Sequence, residues 1–339
     1  MSKNNILISL CMIVKNEAAN LPRCLGSVKN LVDEMIVVDT GSSDGTQDIA
    51  KYAGAKLFTE PWQDDFSAAK NAAISRANGQ WILVLDADEE LLNPDEIAQP
   101  LRQQLNETNA DAFRLPVRNR MPAGDLMQIQ EFYLTRLFRN RPEFRYEGRI
   151  HEQIRPAIER NGGNIETADV TILHHGYAQT DVQGGQNRLQ RNIQLLESVV
   201  KSDPLNAYLN YHLGSSYKDT GDFQSAEKHL QIALENGNAL PSEIREKLFA
   251  KLSQIALAKN DYRNAAAFAG ECLAISPDNL IGLYSGSLAL IYTGNFADAL
   301  DGFQAISGHP NANPAELPQI QQIIQFCQQK LGSATYSHT

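Results

Sequence analysis

The chain has 339 residues and a formal net charge of −10. That balance argues against an extended nucleic-acid surface, which needs clustered Lys and Arg. The apolar run Ile6–Val14 is short and leads straight into Lys15-Asn16-Glu17, so it reads as a buried strand; a membrane span needs about 20 apolar residues. At about 100–200 residues per domain the length suggests two domains. Cys11, Cys24, Cys272 and Cys327 form no CxxC pair. They are expected to be buried free thiols in a reducing compartment. The expected location is therefore cytoplasmic, at most peripheral to the inner membrane face.

The first third alternates strand and helix signals. Strands are predicted over Ile6–Val14, Met35–Val38, Ala55–Phe58 and Trp81–Leu85, with helices over Ala18–Val28, Thr46–Ala53 and Phe66–Ala77. Asn78-Gly79 reads as the C-cap of the last of these, and Asp44 as a helix-start cap. Apolar runs separated by amphipathic helices indicate βαβ units and a mainly parallel sheet. Ligands of such sheets sit beyond the carboxyl ends of the strands, and KNE, DTGSSDGT and DADEE all fall there. Residues 111–175 add predicted strands at Ala112–Val117, Phe132–Phe138 and Thr171–Leu173, punctuated by Pro116, Pro122, Pro142 and Gly162-Gly163.

From about Gln186 the pattern is helical and repetitive. Gly221-Asp222-Phe223, Asn260-Asp261-Tyr262 and Gly294-Asn295-Phe296 each precede a small residue three positions on: Ala226, Ala265 and Ala299. The spacing, close to 34 residues with a longer loop at Asn236–Ser242, fits tetratricopeptide repeats. Gln319–Leu331 is predicted to be a terminal capping helix. The predicted domains are 1–183, an α/β domain, and 184–335, an all-α repeat domain.

The acidic run Asp86-Ala87-Asp88-Glu89-Glu90 ends an apolar strand. Adjacent carboxylates repel unless cations or donors compensate, and hard carboxylate oxygens suit Mg²⁺ or Mn²⁺ with positions left open for phosphate. Asp39, at the end of the second strand, can accept hydrogen bonds from a base or a ribose hydroxyl. Glu17 can hold a ribose or base edge, or cap the first turn of the helix.

The ordered segments ISLCMIVKNE, IVVDTGSSDGT, SAAKNAAI and WILVLDADEEL resemble the family-2 glycosyltransferases, which have the GT-A Rossmann-like fold. The resemblance implies a nucleoside-diphosphate-sugar donor, UDP-linked or similar. It also implies nucleoside contacts around Val14, Glu17, Asp39 and Thr40. Lys70 and Asn71 match the family's basic-residue-plus-Asn position near the donor. Asp86, with Ala87, would contact ribose or sugar, and Asp88 would bind the metal. Tyr146–Glu152 resembles an acceptor-side motif, in which Glu152, then Glu147, is the candidate general base of an inverting hexosyltransferase. Leu173–Tyr177 resembles a segment in which His174 or His175 completes the metal site; imidazole beside carboxylate favours Mn²⁺ over Mg²⁺. The acceptor could be a glycan, a lipid-linked sugar or a peptide. The repeats could bind a protein partner or a second copy of the chain. Two rival readings are an inactive transferase domain whose repeats act as an interaction module, and a nucleotidyltransferase. The second should carry a Gly-rich loop after the first strand, where this chain has VKNEAAN.

Overall fold

The structure is a computed structural model and describes residues 6–120, 125–127, 129–176 and 182–336. Pro122 and Tyr177 lie outside the described residues. Two compact units result, one of residues 6–120 and 129–176, the other of residues 125–127 and 182–336. Among the described residues no helix is long and apolar enough to cross a membrane.

The first unit is built on one mixed sheet. Its parallel half holds β1 (Ile8–Val14), β2 (Glu34–Asp39), β3 (Lys56–Thr59) and β4 (Trp81–Val84), in the order β3-β2-β1-β4. The sheet continues with β7 (Ile129–Arg139), β6 (Ala112–Arg120), β9 (Ile172–His174) and β5 (Glu89–Leu91), while β8 (Ile165–Thr167) pairs with β6. The sheet is mixed rather than uniformly parallel: β6 also pairs parallel with β8 and β9, while the remaining pairings are antiparallel. β7 runs antiparallel to β4, and β6 antiparallel to β7, its successor in the chain, since consecutive strands can pair antiparallel without a crossover helix. Glu89–Leu91, expected in an acidic turn, is a strand that pairs antiparallel with β9.

Side chains of the central strands alternate between two cores, as a period of two requires. Ile8, Leu10, Met12 and Val14, with Val37, Trp81 and Leu83, face one core. It is covered by α1 (Leu21–Val28), α2 (Thr46–Tyr52) and α4 (Pro94–Glu107) through Leu25, Val28, Ala50 and Leu101. Cys11, Ile36, Val38, Ile82 and Val84 face the other core, covered by α3 (Phe66–Ile74) and α5 (Arg155–Arg160) through Ala73, Ile74 and Ile158. Burial on both faces explains the unbroken apolar runs in the sequence. α3 ends at Ile74, short of the predicted Ala77. Gly79 is not its cap. A Cβ there would stand 2.4 Å from Ser9 Oγ, which accepts the Gly79 N–H at 2.8 Å and donates to the buried Glu34. Glycine is needed at that point for close approach to β1.

The second unit stacks helix pairs. α6 (Val182–Val200) is followed by α7 (Ala207–Asp219) with α8 (Phe223–Glu235), α9 (Ser242–Ala258) with α10 (Tyr262–Ile275), and α11 (Leu280–Tyr292) with α12 (Phe296–Ser307). α13 (Leu317–Tyr336) comes last, longer than the predicted capping helix at both ends. The repeated turn has a physical basis. Gly221, Asn260 and Gly294 all adopt the left-handed conformation that closes a helix. The next residues, Asp222, Asp261 and Asn295, then cap the following helix with their side chains. Ala226, Ala265 and Ala299 are fully buried where the paired helices approach. All four cysteines are buried, as expected from their apolar surroundings.

Gly214 of α7 shows how close that approach is. A Cβ there would lie 2.7 Å from Leu230 Cγ and 2.9 Å from the Ala226 carbonyl oxygen. Alanine should gain about 1 kcal/mol of helix propensity but lose about 1–3 kcal/mol to overpacking against backbone. Gly214→Ala is therefore expected to lower the melting temperature of the repeat unit in a calorimetric scan, and a raised temperature would contradict this packing.

Candidate active site

The parallel strands β1, β2 and β4 end on one edge of the sheet, and the residues that follow them form the candidate site. Val14 contributes its carbonyl, which accepts from Thr40 N at 2.9 Å and from Thr40 Oγ1 at 3.2 Å. This pins the end of β1 to the start of the glycine-serine loop. Asn16 stands in the left-handed region and donates its N–H to Ser42, while its side chain accepts from Ser43 N. Glu17 donates its N–H to Thr46 Oγ1 and accepts from the Asn20 side chain, a first-turn arrangement. Asp44 accepts from Thr46 N and Ala18 N, tying the start of α2 to the KNE turn; the N-cap position itself falls to Gly45, in the left-handed region, rather than to Asp44 as expected.

Asp39 is fully buried. One oxygen, Oδ1, accepts from Gly41 N, Ser42 N and Gln47 Nε2 at 2.9–3.0 Å. The other, Oδ2, is buried with no hydrogen-bond partner among the described residues. Burial opposes the charge, but the donors from Ser42, Gly41 and Gln47 outweigh it and hold the carboxyl below its usual range.

Asp86 follows β4 and is gripped by two buried cations. Arg136 Nη2, from β7, lies 2.8 Å from Asp86 Oδ2 and 2.8 Å from Glu89 Oε1. Lys70 Nζ, from α3, lies 3.3 Å from Asp86 Oδ1 and 2.7 Å from Glu152 Oε1. Glu89 Oε2 accepts the Asp86 backbone N–H at 2.8 Å, which closes the turn. Burial works against the Asp86 charge, yet Lys70 and Arg136 prevail and hold it well below the carboxylate range. Burial, helped by the Asp86 charge, pushes Glu89 up against the pull of Arg136. Ala87 is buried within the same turn.

Asp88 faces β9. Its Oδ2 lies 3.3 Å from Nε2 of His174, whose Nδ1 lies 2.8 Å from Asn119 Oδ1 on β6. Burial disfavours the charged imidazole, but the hydrogen bond and charge of Asp88, with Glu89 and Asp86 nearby, raise its pKa overall. His175 does not join Asp88 through its ring. Its Nε2 meets Glu90 Oε1 at 2.8 Å, and Glu90 also approaches Arg23. Among the described residues no three His, Cys, Asp or Glu side chains converge as a ready metal cage. The Asp88–His174 pair offers two donor atoms at a separation near that of neighbouring ligands on a cation with bonds of about 2.1 Å. Mg²⁺-type sites commonly have few protein ligands and complete their shell with water and phosphate.

The segment 146–152 docks on α3. The Asn71 amide donates to the Tyr146 carbonyl and accepts from Tyr146 N, both at 2.9 Å. Phe66 N donates to Arg149 O at 2.9 Å. Asn71, expected near the donor, is thus a clamp for this segment. Gly148 and His151 both stand in the left-handed region, and burial pushes His151 down to about 4. Glu152, reached by Lys70, joins the buried cluster; its side chain is 12% exposed. Glu147 does not, because it is exposed and ion-paired with Arg160. Sequence reasoning missed Arg136, a polar residue in a strand read only for its apolar pattern, and Asn119, which lies on β6 beyond the expected end of that strand at Val117.

Arg136 is buried between two carboxylates, and removing one partner of such a cluster leaves uncompensated charge. Arg136→Met is expected to destabilise the first unit by about 3–5 kcal/mol in denaturant titration. A loss below about 1 kcal/mol would show that the cluster does not hold the turn.

The model of the family described as "Glycosyl transferase family 2" matches residues 9–160. A TPR repeat-containing protein of Synechococcus elongatus is 43% identical over 248 residues, 71% of this chain and 60% of its own length. The glycosyltransferase SunS of Bacillus subtilis is 28% identical over 233 residues, 68% of this chain and 53% of its own. An uncharacterized glycosyltransferase of Rickettsia felis is 50% identical over 84 residues, 25% of this chain and 29% of its own. The chain therefore spans 60% or less of the length of these curated relatives. Residues 9–160, which carry the ordered motifs and the parallel strands, thus match glycosyl transferase family 2, and an array of tetratricopeptide-type helix pairs follows them in this chain.

Proposed function

We propose that the chain is a divalent-metal-dependent, inverting glycosyltransferase that moves a sugar from a nucleoside-diphosphate-sugar to an acceptor nucleophile. The observation that carries this reading is the division of labour between the two aspartates. Asp86 is committed to Lys70 and Arg136, whereas Asp88 meets an imidazole at the rim of the sheet.

In this reading Asp39 Oδ2, buried and without a donor, takes an N–H or O–H of the nucleoside. Unpaired acceptors in such places are costly until a ligand fills them. Asp88 and His174 hold Mn²⁺ or Mg²⁺, and Mn²⁺ suits the mixed carboxylate and imidazole donors better. Once bound, the cation supplies charge neutralisation for the diphosphate leaving group. Asp86 fixes the turn that presents Asp88 and borders the sugar. Glu152, oriented by Lys70 at 2.7 Å, takes the proton of the acceptor nucleophile as general base. Glu147 has no part in this scheme. The acceptor class, whether glycan, lipid-linked sugar or peptide, is left to the repeats and the acceptor-side segment.

Donor turnover tests the reading. Nucleoside diphosphate released from a panel of UDP- and GDP-sugars should depend on added Mn²⁺. It should fall by about 100-fold or more in Asp88→Ala or Glu152→Gln, and stay near wild type in Glu147→Ala. Full turnover by Asp88→Ala would sink the metal-dependent scheme. Metal-dependent nucleotide binding without turnover of any donor would favour the inactive-module reading instead.

A further inference from the structure

His174 sits between two strand neighbours. Its register partner on β6 is Asn119 and its partner on β5 is Glu89. Asn119 is 3% exposed, and its Oδ1 lies 2.8 Å from Nδ1 of His174. An amide oxygen has no hydrogen to give, so Nδ1 is the donor in this contact. A neutral imidazole carries one N–H. With Asn119 holding one hydrogen at Nδ1, the hydrogen that the ring shares with Asp88 Oδ2 at 3.3 Å sits on Nε2, and a cation that displaces it meets the Nε2 lone pair and the carboxylate together.

Gly176 supplies the second observation. A Cβ built there would stand 2.6 Å from His174 Nε2 and 2.9 Å from Asp88 Oδ2. A methyl group would thus occupy the space that faces both donor atoms. The backbone at residue 176 passes this pair without a side chain, so no Cβ of that residue crowds the two donor atoms.

We infer that Asn119 is a positioning residue that sets the His174 tautomer for cation capture, and that Gly176 keeps the seat of the cation open. The inference rests on the reading that Asp88 and His174 hold the cation. Neither residue touches the reacting atoms. Asn119 acts through the ring it orients, as partners of metal-ligating histidines do. Gly176 acts by its missing side chain.

The test uses the full chain and Mn²⁺ alone, titrated by electron paramagnetic resonance, with thermal melts to confirm folding. Asn119→Leu should weaken Mn²⁺ binding by about 10–100-fold, whereas Asn119→Asp, which still accepts from Nδ1, should bind close to wild type. Gly176→Ala should also lose at least about tenfold. Long-range ¹H–¹⁵N spectra, recorded where His174 is neutral, should show the Nδ1–H tautomer in the wild type and its loss in Asn119→Leu. Wild-type affinity and an unchanged tautomer in Asn119→Leu would overturn the role of Asn119. Wild-type affinity in Gly176→Ala would overturn that of Gly176. A wild-type chain that shows the Nδ1–H tautomer but binds no Mn²⁺ would instead remove the cation reading and leave the tautomer assignment standing.

Discussion

Two buried cations govern the acidic turn after β4. Lys70 and Arg136 come from different elements, α3 and β7, and converge on Asp86. Each buried ion carries a desolvation cost of several kcal/mol, so such a cluster is seldom kept for stability alone. What it gives here is geometry. With Asp86 held on both oxygens and Glu89 accepting its backbone N–H, the chain direction through Ala87 is fixed. Asp88 is thereby delivered to the edge where β9 brings His174. One aspartate organises the turn and the other is turned toward His174, where the proposed mechanism seats its ligand.

The same lysine links this turn to the Tyr146–Glu152 segment. Lys70 spans Asp86 and Glu152, and the next residue, Asn71, grips the backbone of Tyr146 with both amide atoms. α3 therefore holds the Tyr146–Glu152 segment and the acidic turn on adjacent residues, the acceptor and donor sides of the proposed mechanism. Holding two reacting partners in a fixed relation is where much of an enzyme's rate advantage arises. The left-handed backbone at Gly148 and His151 belongs to this segment, where sparsely populated conformations often accompany function.

Much of this was legible in the sequence, for physical reasons. ISLCMIV and WILV are buried on both faces of a sheet and so read as unbroken apolar runs. Asp39 and Asp86 stand out because an acidic residue at the end of such a run must find donors or a cation, and Asp88 is read with Asp86 as part of the same acidic run. The repeats were legible through their turns, since only a few residues suit a left-handed closure followed by a side-chain cap. Other features were not. Arg136 and Asn119 lie on β7 and β6, where a polar residue normally marks a solvated face; their burial follows from strands β4, β9 and β5 adding to the sheet, which no local pattern announces. His174 and His175 are adjacent and chemically identical. Only the register of β9 against β5 and β6 assigns one to Asp88 and the other to Glu90. Glu147 and Glu152 share one short motif, yet a left-handed turn at Gly148 and His151 intervenes, and Arg160 draws Glu147 to the exposed side.

The central claim is that Asp88 and His174 seat a cation that meets a diphosphate. Anomalous diffraction from crystals of the full chain grown with Mn²⁺ and a nucleoside diphosphate tests it directly. The account predicts a manganese peak within bonding distance of Asp88 Oδ2, His174 Nε2 and two phosphate oxygens. A nucleotide bound with no peak there, or with the ion on Glu90 and His175, would contradict it.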